Sequence, residues 1–497
     1  MRLRSGEGRL LVLLLVAYGW LFVFFERINN PNELVRVYAA RALAERHTWS
    51  IGERRALPGG VVDLGLLPDT WGYVNDKALV CAQGTPPLCS GKLYAAKAPM
   101  ASLLGAPVLW VLRLFGPVSK TEAVFALRWL LIILPTVIFW LAVRRFLEER
   151  GAPTSVVLAA ALGSLSLTYG QMFAGHQLAA LALGAAFLAG FWKDAPGWLG
   201  FFCALAVSLE YPAAPAALIV FAGAWLHRRP PLWRVLLGAL PPALVLVQFH
   251  WSAFGAPWST PYSHLENPEF VKDIAPGFMG ISIPTWERVS GSLFAPWLGL
   301  FFWAPWTALI LIAPRRTLPS LTACAAVAYY LVFQITHALW RSGWVVGPRY
   351  ITPLVPLAAL ALGLALRKDW QLALLGGAGA AGVAATGLAS AVCQGFPLEV
   401  KNPLREVVWP LLSHGFVPRN PLQLLGVPGL WSALPYFAAL AVAMVLLLKQ
   451  RLWPLALAVF VVLTAAQWTA RASGERGAAH FLADQWEPNP PPGASRF

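Results

Sequence analysis

Two carboxylates in the first long hydrophilic stretch are the side chains best placed to do chemistry. Glu33 follows the first apolar run closely, and Asp76 lies later in the same stretch. A carboxylate held at the edge of a membrane can serve as a general base. Glu33 has a second interpretation, because Pro31 or Asn32 can start a helix whose first turn favours an acid. Weaker candidates in the same stretch are Asp63 and Asp69.

Basic side chains occur where apolar runs meet the hydrophilic stretches that are predicted to lie outside the cell. They are Lys92, Lys97, Arg128 and Arg349. Cations are unusual on that side of a membrane, and they can hold a phosphate group. Lys97 and Arg349 have an alternative role as interface anchors whose long side chains reach the headgroups. The alternative for Arg128 is an ion pair with an acid of the loop.

Further polar residues are candidates for contact with a substrate. They are Asn32, Arg36, Tyr94, His176, Glu210 and Tyr211. A lone histidine at a helix start is often only a packed residue, and a buried acid such as Glu210 must be paired. Cys81 and Cys89 share one loop and can form a disulfide if that loop faces an oxidising compartment. The sequence has no glycine-rich nucleotide loop and no metal-ligand spacing, and a need for a divalent cation stays open.

The elements that position these residues are predicted to be membrane helices. Of the 497 residues, 58% are hydrophobic and 12% are charged, and the mean hydropathy is +0.60. Soluble domains carry about 25% charged residues, so much of this surface must face lipid, where hydrocarbon favours helices. The basic residues behind the net charge of +15 mostly lie in short loops between apolar runs, which is typical of the inner side of a membrane, and no nucleic-acid partner is predicted.

Thirteen apolar runs approach the ~20 residues that a membrane span needs, with eleven or twelve spans as alternatives. They cover roughly 9–25, 125–143, 153–170, 175–192, 197–209, 212–226, 234–251, 296–313, 318–338, 349–366, 371–391, 431–448 and 453–469. With a cytoplasmic N-terminus, short basic clusters such as Arg144-Arg145 lie inside. The fold class is therefore all-α, with the apolar segment 99–115 as a helix lying in the outer interface.

This topology gives one transmembrane domain over residues 1–480. Its three long loops, 26–124, 252–295 and 392–430, lie outside the cytoplasm together with the C-terminus. The first loop is long enough for short juxtamembrane helices. Residues 481–497 form a Pro-rich tail that is predicted to be disordered. The use of Ala, Leu, Trp and Arg favours a bacterial plasma membrane.

The order of several motifs resembles a known group of membrane enzymes. Pro31-Asn32-Glu33, followed by Arg36 and Tyr38, is similar to the Pro-Asp-Glu-x-x-Arg-Tyr that opens the first external loop in protein-mannosyltransferase and aminoarabinose-transferase relatives of the glycosyltransferase C superfamily. The segment 91–99, Gly-Lys-Leu-Tyr-Ala-Ala-Lys-Ala-Pro, is similar to their Gly-x-x-Tyr-x-x-Lys-Pro-Pro stretch. The resemblance covers roughly the first 230 residues well, and the rest in outline.

The resemblance implies an enzyme that takes a sugar from a polyprenyl phosphate in the bilayer and passes it to an extracytoplasmic lipid, glycan or protein. Such a reaction needs cations for the phosphate leaving group and a carboxylate that deprotonates the acceptor hydroxyl. One departure is Asn32, which stands where the family usually has an aspartate. The base would then be Glu33 or Asp76.

Two other functions stay open at this point. A transporter or flippase for lipid-linked sugars would need polar groups through the full depth of the bilayer, whereas the polar groups here crowd onto one face. A degenerate relative that acts as a scaffold is favoured by Asn32 and opposed by the acid that follows it.

Overall fold

The computed structural model describes residues 6–21, 30–67, 71–72, 74–84, 86–275, 277, 280–314, 316–392, 395–473, 477–486 and 493–495. Asp69, the first residues of the loop 26–124, and residues 487–492 and 496–497 of the predicted tail lie outside these residues. A helix, Gly477–Trp486, extends six residues into the segment that was predicted as a disordered tail.

Helices make up most of the described chain. In order, they are α1 Glu7–Gly19, α2 Pro31–Arg46, α3 Met100–Arg113, α4 Lys120–Arg128, α5 Leu134–Glu148, α6 Ser155–Leu162, α7 Leu165–Tyr169, α8 Gly175–Leu188, α9 Pro196–Leu209, α10 Ala214–Arg228, α11 Leu232–Phe254, α12 Pro268–Ile274, α13 Trp286–Phe294, α14 Leu300–Trp303, α15 Leu318–Thr336, α16 Leu354–Ala365, α17 Asp369–Ser390, α18 Trp409–Ser413, α19 Pro421–Leu424, α20 Gly429–Ser432, α21 Leu434–Leu448, α22 Trp453–Thr469 and α23 Gly477–Trp486. Short π-helical segments cover Trp129–Ile133, Ala189–Lys193 and Leu404–Val408, and 3₁₀ segments cover Tyr211–Ala213, Pro261–His264, Pro305–Leu311 and Arg349–Ile351.

Among the described residues, five helices are long and apolar enough to cross a membrane. They are Lys120–Glu148, Gly175–Lys193, Leu232–Phe254, Leu318–Thr336 and Asp369–Ser390. Shorter apolar helices accompany them: Met100–Arg113, Pro196–Leu209, Leu354–Ala365, Leu434–Leu448 and Trp453–Thr469. The protein is thus a mostly helical, multi-pass membrane protein, and the count of thirteen spans stays a prediction. The predicted span 296–313 is broken into α14 and a 3₁₀ segment that begins at Pro305, where the proline lacks the backbone N–H of an α-helical hydrogen bond.

A small sheet in the first long loop corrects the prediction of an all-α fold. Four antiparallel strands, β1 Ser50–Leu57, β2 Gly60–Gly65, β3 Lys77–Gln83 and β4 Ser90–Ala95, lie in the order β2-β1-β4-β3. The turn between β1 and β2 ends at Gly59, whose φ of 96° suits a glycine. Charged residues interrupt the apolar alternation of β1, so the sequence pattern of this strand resembles a loop.

The disulfide between Cys81 and Cys89 joins the strand β3 to the segment that leads into β4. These are the two cysteines for which the sequence predicted a disulfide. The bond therefore ties the edge strand β3 to the start of β4, and α2 contacts β1 and β4.

Helix α2 leads from the first apolar helix to this sheet and begins at a strong capping signal. The side chain of Asn30 accepts hydrogen bonds from the backbone N–H groups of Asn32 (3.0 Å) and Glu33 (3.3 Å), and Pro31 follows at the first helical position. Both features stabilise a helix start. The cap therefore fixes where the first turn of α2 lies, and with it the positions of its charged side chains.

The centre of the helical bundle is formed by α17, which contacts α6, α21 and α22. Its glycines allow close approach: a Cβ atom at Gly379 would lie 2.7 Å from the Cβ atom of Ala159, and one at Gly377 would lie 2.8 Å from Cβ of Val459. Small residues of this kind let membrane helices pack backbone to backbone. The helices around α17 are therefore closely packed.

Candidate active site

Two charged side chains of α2 reach different parts of the helical bundle. Glu33 lies in its first turn and Arg36 follows three residues later, and both are fully buried. Glu33 contacts Arg128 at the end of α4, whereas Arg36 contacts Glu210, which lies between α9 and α10. Two ion pairs therefore connect this helix of the first long loop to the apolar helices.

The Glu33–Arg128 pair is closed on all sides. Arg128 donates from Nε to Oε1 of Glu33 at 2.7 Å and from Nη2 to Oε2 at 2.6 Å, and the backbone N–H of Phe173 donates to Oε1 at 2.8 Å. Both carboxylate oxygens are occupied, and Arg128 is committed to this acid. Arg128 is thus paired with a loop acid, which is the alternative that the sequence offered for it, whereas the roles of Glu33 as a base and of Arg128 as a phosphate contact stay predictions.

The Arg36–Glu210 pair is built differently. Nη1 of Arg36 donates to the backbone oxygen (2.8 Å) and the side-chain oxygen of Asn32, and Nη2 donates to Oε1 of Glu210 at 2.6 Å. Nδ1 of His176 lies 3.4 Å from the same Oε1. No residue in the described ranges donates a hydrogen bond to Oε2. One oxygen of Glu210 is therefore held and the other is open.

Gly175 explains how the pair fits beside α8. A Cβ atom at this position would lie 2.7 Å from Nη2 of Arg36, and closer still to Oε1 of Glu210. Glycine at the start of α8 therefore makes room for the two charged groups, and His176 follows it directly. Nε2 of His176 is buried, and within the described chain it has no hydrogen-bond partner.

A second group of charges lies at Asp76, just before β3. Nζ of Lys97 lies 3.2 Å from Oδ2 of Asp76, and the backbone oxygen of Asp76 accepts a hydrogen bond from Ala96 N–H at 2.9 Å. Arg349 begins the 3₁₀ segment Arg349–Ile351, and no carboxylate of the described residues lies within ion-pair distance of its guanidinium. Its Nε is buried without a hydrogen-bond partner among those residues.

The two groups act on each other electrostatically, and we call Arg36, Asp76, Lys97, Glu210 and Arg349 the charged cluster. Burial would raise the pKa of the Asp76 carboxyl, but the charges of Lys97, Arg349 and Arg36 hold this pKa below its usual range. Burial raises the pKa of Glu210, against the opposing charges of Arg36, Lys97 and Arg349. The cluster thus holds two carboxyls whose pKa values are shifted in opposite directions.

Aromatic residues surround the charged cluster. The ring of Tyr350 meets that of His176 edge-on at 5.6 Å, and the ring of Tyr211 meets that of Tyr262 at 5.8 Å. The Tyr211 hydroxyl and Nε2 of His250 are 2.8 Å apart. Burial raises the pKa of Tyr262, and the charge of Glu210 adds to this shift. Tyr262 was not predicted, because it lies in a 3₁₀ segment of a loop without a periodic pattern.

Two predicted residues of β4 lie apart from the charged cluster. Lys92 is exposed, and Tyr94 packs against Phe254 with ring centres 5.5 Å apart, in a separate apolar group with α11. Among the contacts of the described residues, neither side chain reaches the cluster. The predictions that Lys92 holds a phosphate and that Tyr94 contacts a substrate stay predictions, and both residues lie apart from the charged cluster.

The weaker candidate Asp63 belongs to an ion network that joins the sheet to the loop after α11. Arg54 donates to Asp63 at 2.6 and 2.9 Å and lies 2.7 Å from Glu266, and Lys77 contacts Asp63 at 3.0 Å and Glu266 at 3.5 Å. Burial would raise the pKa of Asp63, but the bonds from Arg54 and Lys77 lower it. Asp63 is thus engaged in holding two loops together.

Within the described ranges, no group of three or more His, Cys, Asp or Glu side chains is arranged to hold a metal ion. The charged cluster contains two carboxylates and three cations.

Similarity to solved structures extends over nearly the whole chain. The apo crystal structure of ArnT from Cupriavidus metallidurans matches 96% of this chain and 78% of its own, with 17% sequence identity and a TM-score of 0.46. The chain resembles glycosyltransferase C membrane enzymes. ArnT bound to undecaprenyl phosphate is similar to the same extent, with a TM-score of 0.45.

Two further glycosyltransferase C enzymes match along most of this chain. Arabinosyltransferase EmbB from Mycobacterium smegmatis matches 94% of this chain and 41% of its own, with 12% identity and a TM-score of 0.36. The oligosaccharyltransferase of Archaeoglobus fulgidus matches 98% of this chain and 59% of its own, with 11% identity and a TM-score of 0.38. No protein-family model and no curated protein matches the chain. The similarity to these solved structures extends, at low sequence identity, over nearly the whole chain.

Proposed function

We propose that this protein is a membrane glycosyltransferase that moves a sugar from a polyprenyl-phosphate donor to an extracytoplasmic acceptor. One observation carries the proposal. Arg349 has no carboxylate partner among the described residues, and it lies with Lys97 in a cluster of three cations and two carboxylates beside apolar helices. A cation without an acid partner in a buried site is stabilised by an anion, and a phosphate supplies one.

The location of the cluster fits a lipid-linked donor. Lys97 lies between the sheet and α3, and Arg349 begins the segment that leads into the apolar helix α16. A polyprenyl chain needs apolar surroundings, and its phosphate needs cations at the depth where the chain ends. The sequence motifs around Pro31 and Lys97 lead to the same class of donor.

The reaction assigns a task to each group. The acceptor hydroxyl oxygen forms a bond with the anomeric carbon of the sugar, while the bond from that carbon to the phosphate oxygen breaks. The electron pair of the broken bond stays on the phosphate, where Lys97 and Arg349 stabilise it. The hydroxyl proton passes to a carboxylate of the charged cluster, which is Asp76 or Glu210, since both oxygens of Glu33 are occupied.

The first test follows the sugar on its lipid carrier. Purified protein in detergent is mixed with polyprenyl phosphates that carry different sugars, together with cell-envelope extracts as the source of acceptor, and loss of sugar is followed by mass spectrometry. We expect loss with one class of donor. No loss with any donor, from protein that elutes as a folded species, would contradict the proposal and favour the transporter or scaffold alternatives.

Variants then test the phosphate contacts. Lys97→Met and Arg349→Gln should each raise the KM for the donor about 10- to 100-fold, because a hydrogen bond to a charged group contributes ~1.5–3 kcal/mol. Matched controls are Lys272→Met and Arg55→Gln, whose side chains are exposed. An unchanged KM in both cluster variants would remove Lys97 and Arg349 from the donor site.

A further inference from the structure

Glu210 is held through only one of its two carboxylate oxygens. Its Oε1 is fixed by Nη2 of Arg36 at 2.6 Å and lies 3.4 Å from Nδ1 of His176. Its Oε2 accepts no hydrogen bond from the described residues, and 11% of the side chain remains exposed. In Glu33, by contrast, both carboxylate oxygens accept hydrogen bonds.

His176 is placed for the same purpose. It is buried, and Nε2 has no hydrogen-bond partner in the described part of the chain. A buried nitrogen without a partner lowers stability, so packing alone does not explain a histidine here. Its other nitrogen, Nδ1, faces the bonded oxygen of Glu210, and a ring in this position can fix the direction of the carboxylate.

We propose that Glu210 is the general base of the transfer reaction, with Oε2 as the atom that takes the acceptor proton and with His176 and Arg36 as positioning residues. This inference rests on the proposed function. It moves the base from the first long loop, where the sequence predicted Asp76 or Glu33, to the turn between α9 and α10.

Asp76 is engaged in a different way. Its Oδ2 lies 3.2 Å from Nζ of Lys97, and the charge of Asp76 also acts on Arg349. An acid between the two cations that hold the phosphate orients them and limits their repulsion. The pKa directions agree with this division, because Asp76 is held ionised while the pKa of Glu210 is raised, which makes Glu210 the stronger proton acceptor.

The proton balance of the step is simple. The acceptor hydroxyl gives its proton to Oε2 of Glu210 as its oxygen bonds to the anomeric carbon, and the phosphate leaves with the electron pair of the broken bond. Glu210 then returns the proton to water when the product leaves. Arg36 keeps its bond to Oε1 throughout, so the carboxylate does not rotate as its charge is lost.

The test compares Glu210→Gln with Asp76→Asn in the purified full-length protein, with the donor identified by the loss-of-sugar assay. Glutamine keeps the size of the side chain and the oxygen that faces Arg36. We expect Glu210→Gln to lower kcat by about 10²–10⁴-fold with the KM for the donor changed by less than threefold. Asp76→Asn should instead raise the KM, because it disturbs Lys97.

Azide separates a missing base from a misfolded site. Azide is an anionic nucleophile with no proton to give up, so its attack on the anomeric carbon needs no base. We expect added azide to restore loss of sugar from the lipid in Glu210→Gln, with a glycosyl azide as the product, and to have no such effect in Asp76→Asn. His176→Phe, which keeps a ring, should lower kcat about tenfold at unchanged KM.

The outcomes separate this inference from the proposed function. If wild-type protein consumes no donor, the proposed function fails. If wild-type protein is active and Glu210→Gln keeps its kcat within threefold while Asp76→Asn loses it, the proposed function stands and the assignment of Glu210 is wrong. If Glu210→Gln loses activity without azide rescue although it binds undecaprenyl phosphate as wild type does, Glu210 is not the proton acceptor.

Discussion

Two arginine–glutamate ion pairs join helix α2 to the helical bundle, and they differ in how many oxygens of the carboxylate are bonded. In the Glu33–Arg128 pair, every carboxylate oxygen is bonded and a backbone N–H completes the set. In the Arg36–Glu210 pair, one oxygen is bonded and the other is open, with a histidine alongside. The closed pair leaves no carboxylate oxygen for a further partner, whereas the open pair leaves one, which is the oxygen that the proposal assigns to the acceptor proton.

The difference teaches that burial of a charge does not by itself indicate a catalytic role. Both glutamates are buried, and both face an arginine. Removing one partner of a buried pair leaves the other charge uncompensated, so a loss of stability in a variant does not by itself identify a catalytic group. The two glutamates differ in the number of carboxylate oxygens that accept a hydrogen bond, which is two in Glu33 and one in Glu210.

The largest effect is expected from opening the closed pair. Glu33→Gln leaves the Arg128 charge buried without a counter-ion, and we expect the free energy of unfolding to fall by ~3–5 kcal/mol. Thermal unfolding of the purified protein in detergent measures this. Glu45→Gln is the matched control, since it breaks a partly exposed pair with Arg41 on the same helix and should cost only ~0.3–0.5 kcal/mol. Equal stability of both variants would contradict the structural role of Glu33.

The second effect concerns the open pair and comes from adding a single methyl group. Gly175→Ala places a Cβ atom against Arg36 and Glu210, and the resulting overpacking should cost about 1–3 kcal/mol of stability. We expect activity to fall much further, by about 100-fold, since misplacement of a catalytic group by ~1 Å has that effect. The control is Gly8→Ala, where no atom lies within 4 Å of the new Cβ. Activity that falls only in parallel with the folded fraction would deny Glu210 a role in the reaction.

A third effect should appear in the dependence of activity on pH. Since burial raises the pKa of Glu210, kcat should rise with pH through a value above the ~4.3 of an ordinary glutamate. Asp76, whose pKa is lowered, stays ionised across this range. The acidic limb should vanish from the residual activity of Glu210→Gln and remain in Glu45→Gln. An identical limb in wild type and Glu210→Gln would assign it to another group.

The contributions of Glu210 and Asp76 to the free energy of unfolding of the protein should depend on pH with opposite signs. The raised pKa of Glu210 means that the folded protein binds this proton more tightly than the unfolded chain. Its contribution to stability is therefore complete below the unfolded pKa and is lost as pH rises through the folded pKa. The lowered pKa of Asp76 gives a contribution that is lost as pH falls. Stability curves of Glu210→Gln and Asp76→Asn against wild type measure the two slopes.

The smallest effect is expected from the ion network of Arg54, Asp63, Lys77 and Glu266. The carboxylates of this network are bonded to cations nearly as fully as Glu33 is. However, 22% of the Asp63 side chain and 16% of the Glu266 side chain are exposed. Glu266→Gln should therefore lower stability by about 1 kcal/mol, and less at high salt. Comparison with Glu33→Gln under the same conditions separates the effect of saturation from that of burial. Glu266→Gln could instead lower stability as much as Glu33→Gln does, and independently of salt. The number of bonded carboxylate oxygens, and not burial, would then determine the loss.

Local patterns predicted much of the framework. The apolar runs indicated a multi-pass helical protein, and the sequence around Pro31 indicated the start of α2. Cys81 and Cys89, which share one loop, form a disulfide. Each of these features depends on residues close in sequence, or on periodicity and composition, which a single sequence records.

Long-range pairing is what the sequence could not supply. Arg36 and Glu210 are 174 positions apart, and Glu33 and Arg128 are 95 positions apart. No local pattern decides which acid meets which base across such distances. For this reason the sequence left the base open between Glu33 and Asp76. The sheet was missed for another, since Glu53, Arg54 and Arg55 give β1 the composition of a loop.

The disulfide between Cys81 and Cys89 has a consequence for how this protein can be followed in living cells. Thiols facing the cytosol are kept reduced, whereas those facing the opposite side of the membrane are oxidised. Formation of the disulfide therefore indicates on which side of the membrane the first long loop lies. The fraction of chains in which this pair resists a thiol-specific label, before and after reduction, would give the proportion inserted in the orientation that lets the charged cluster meet its substrates.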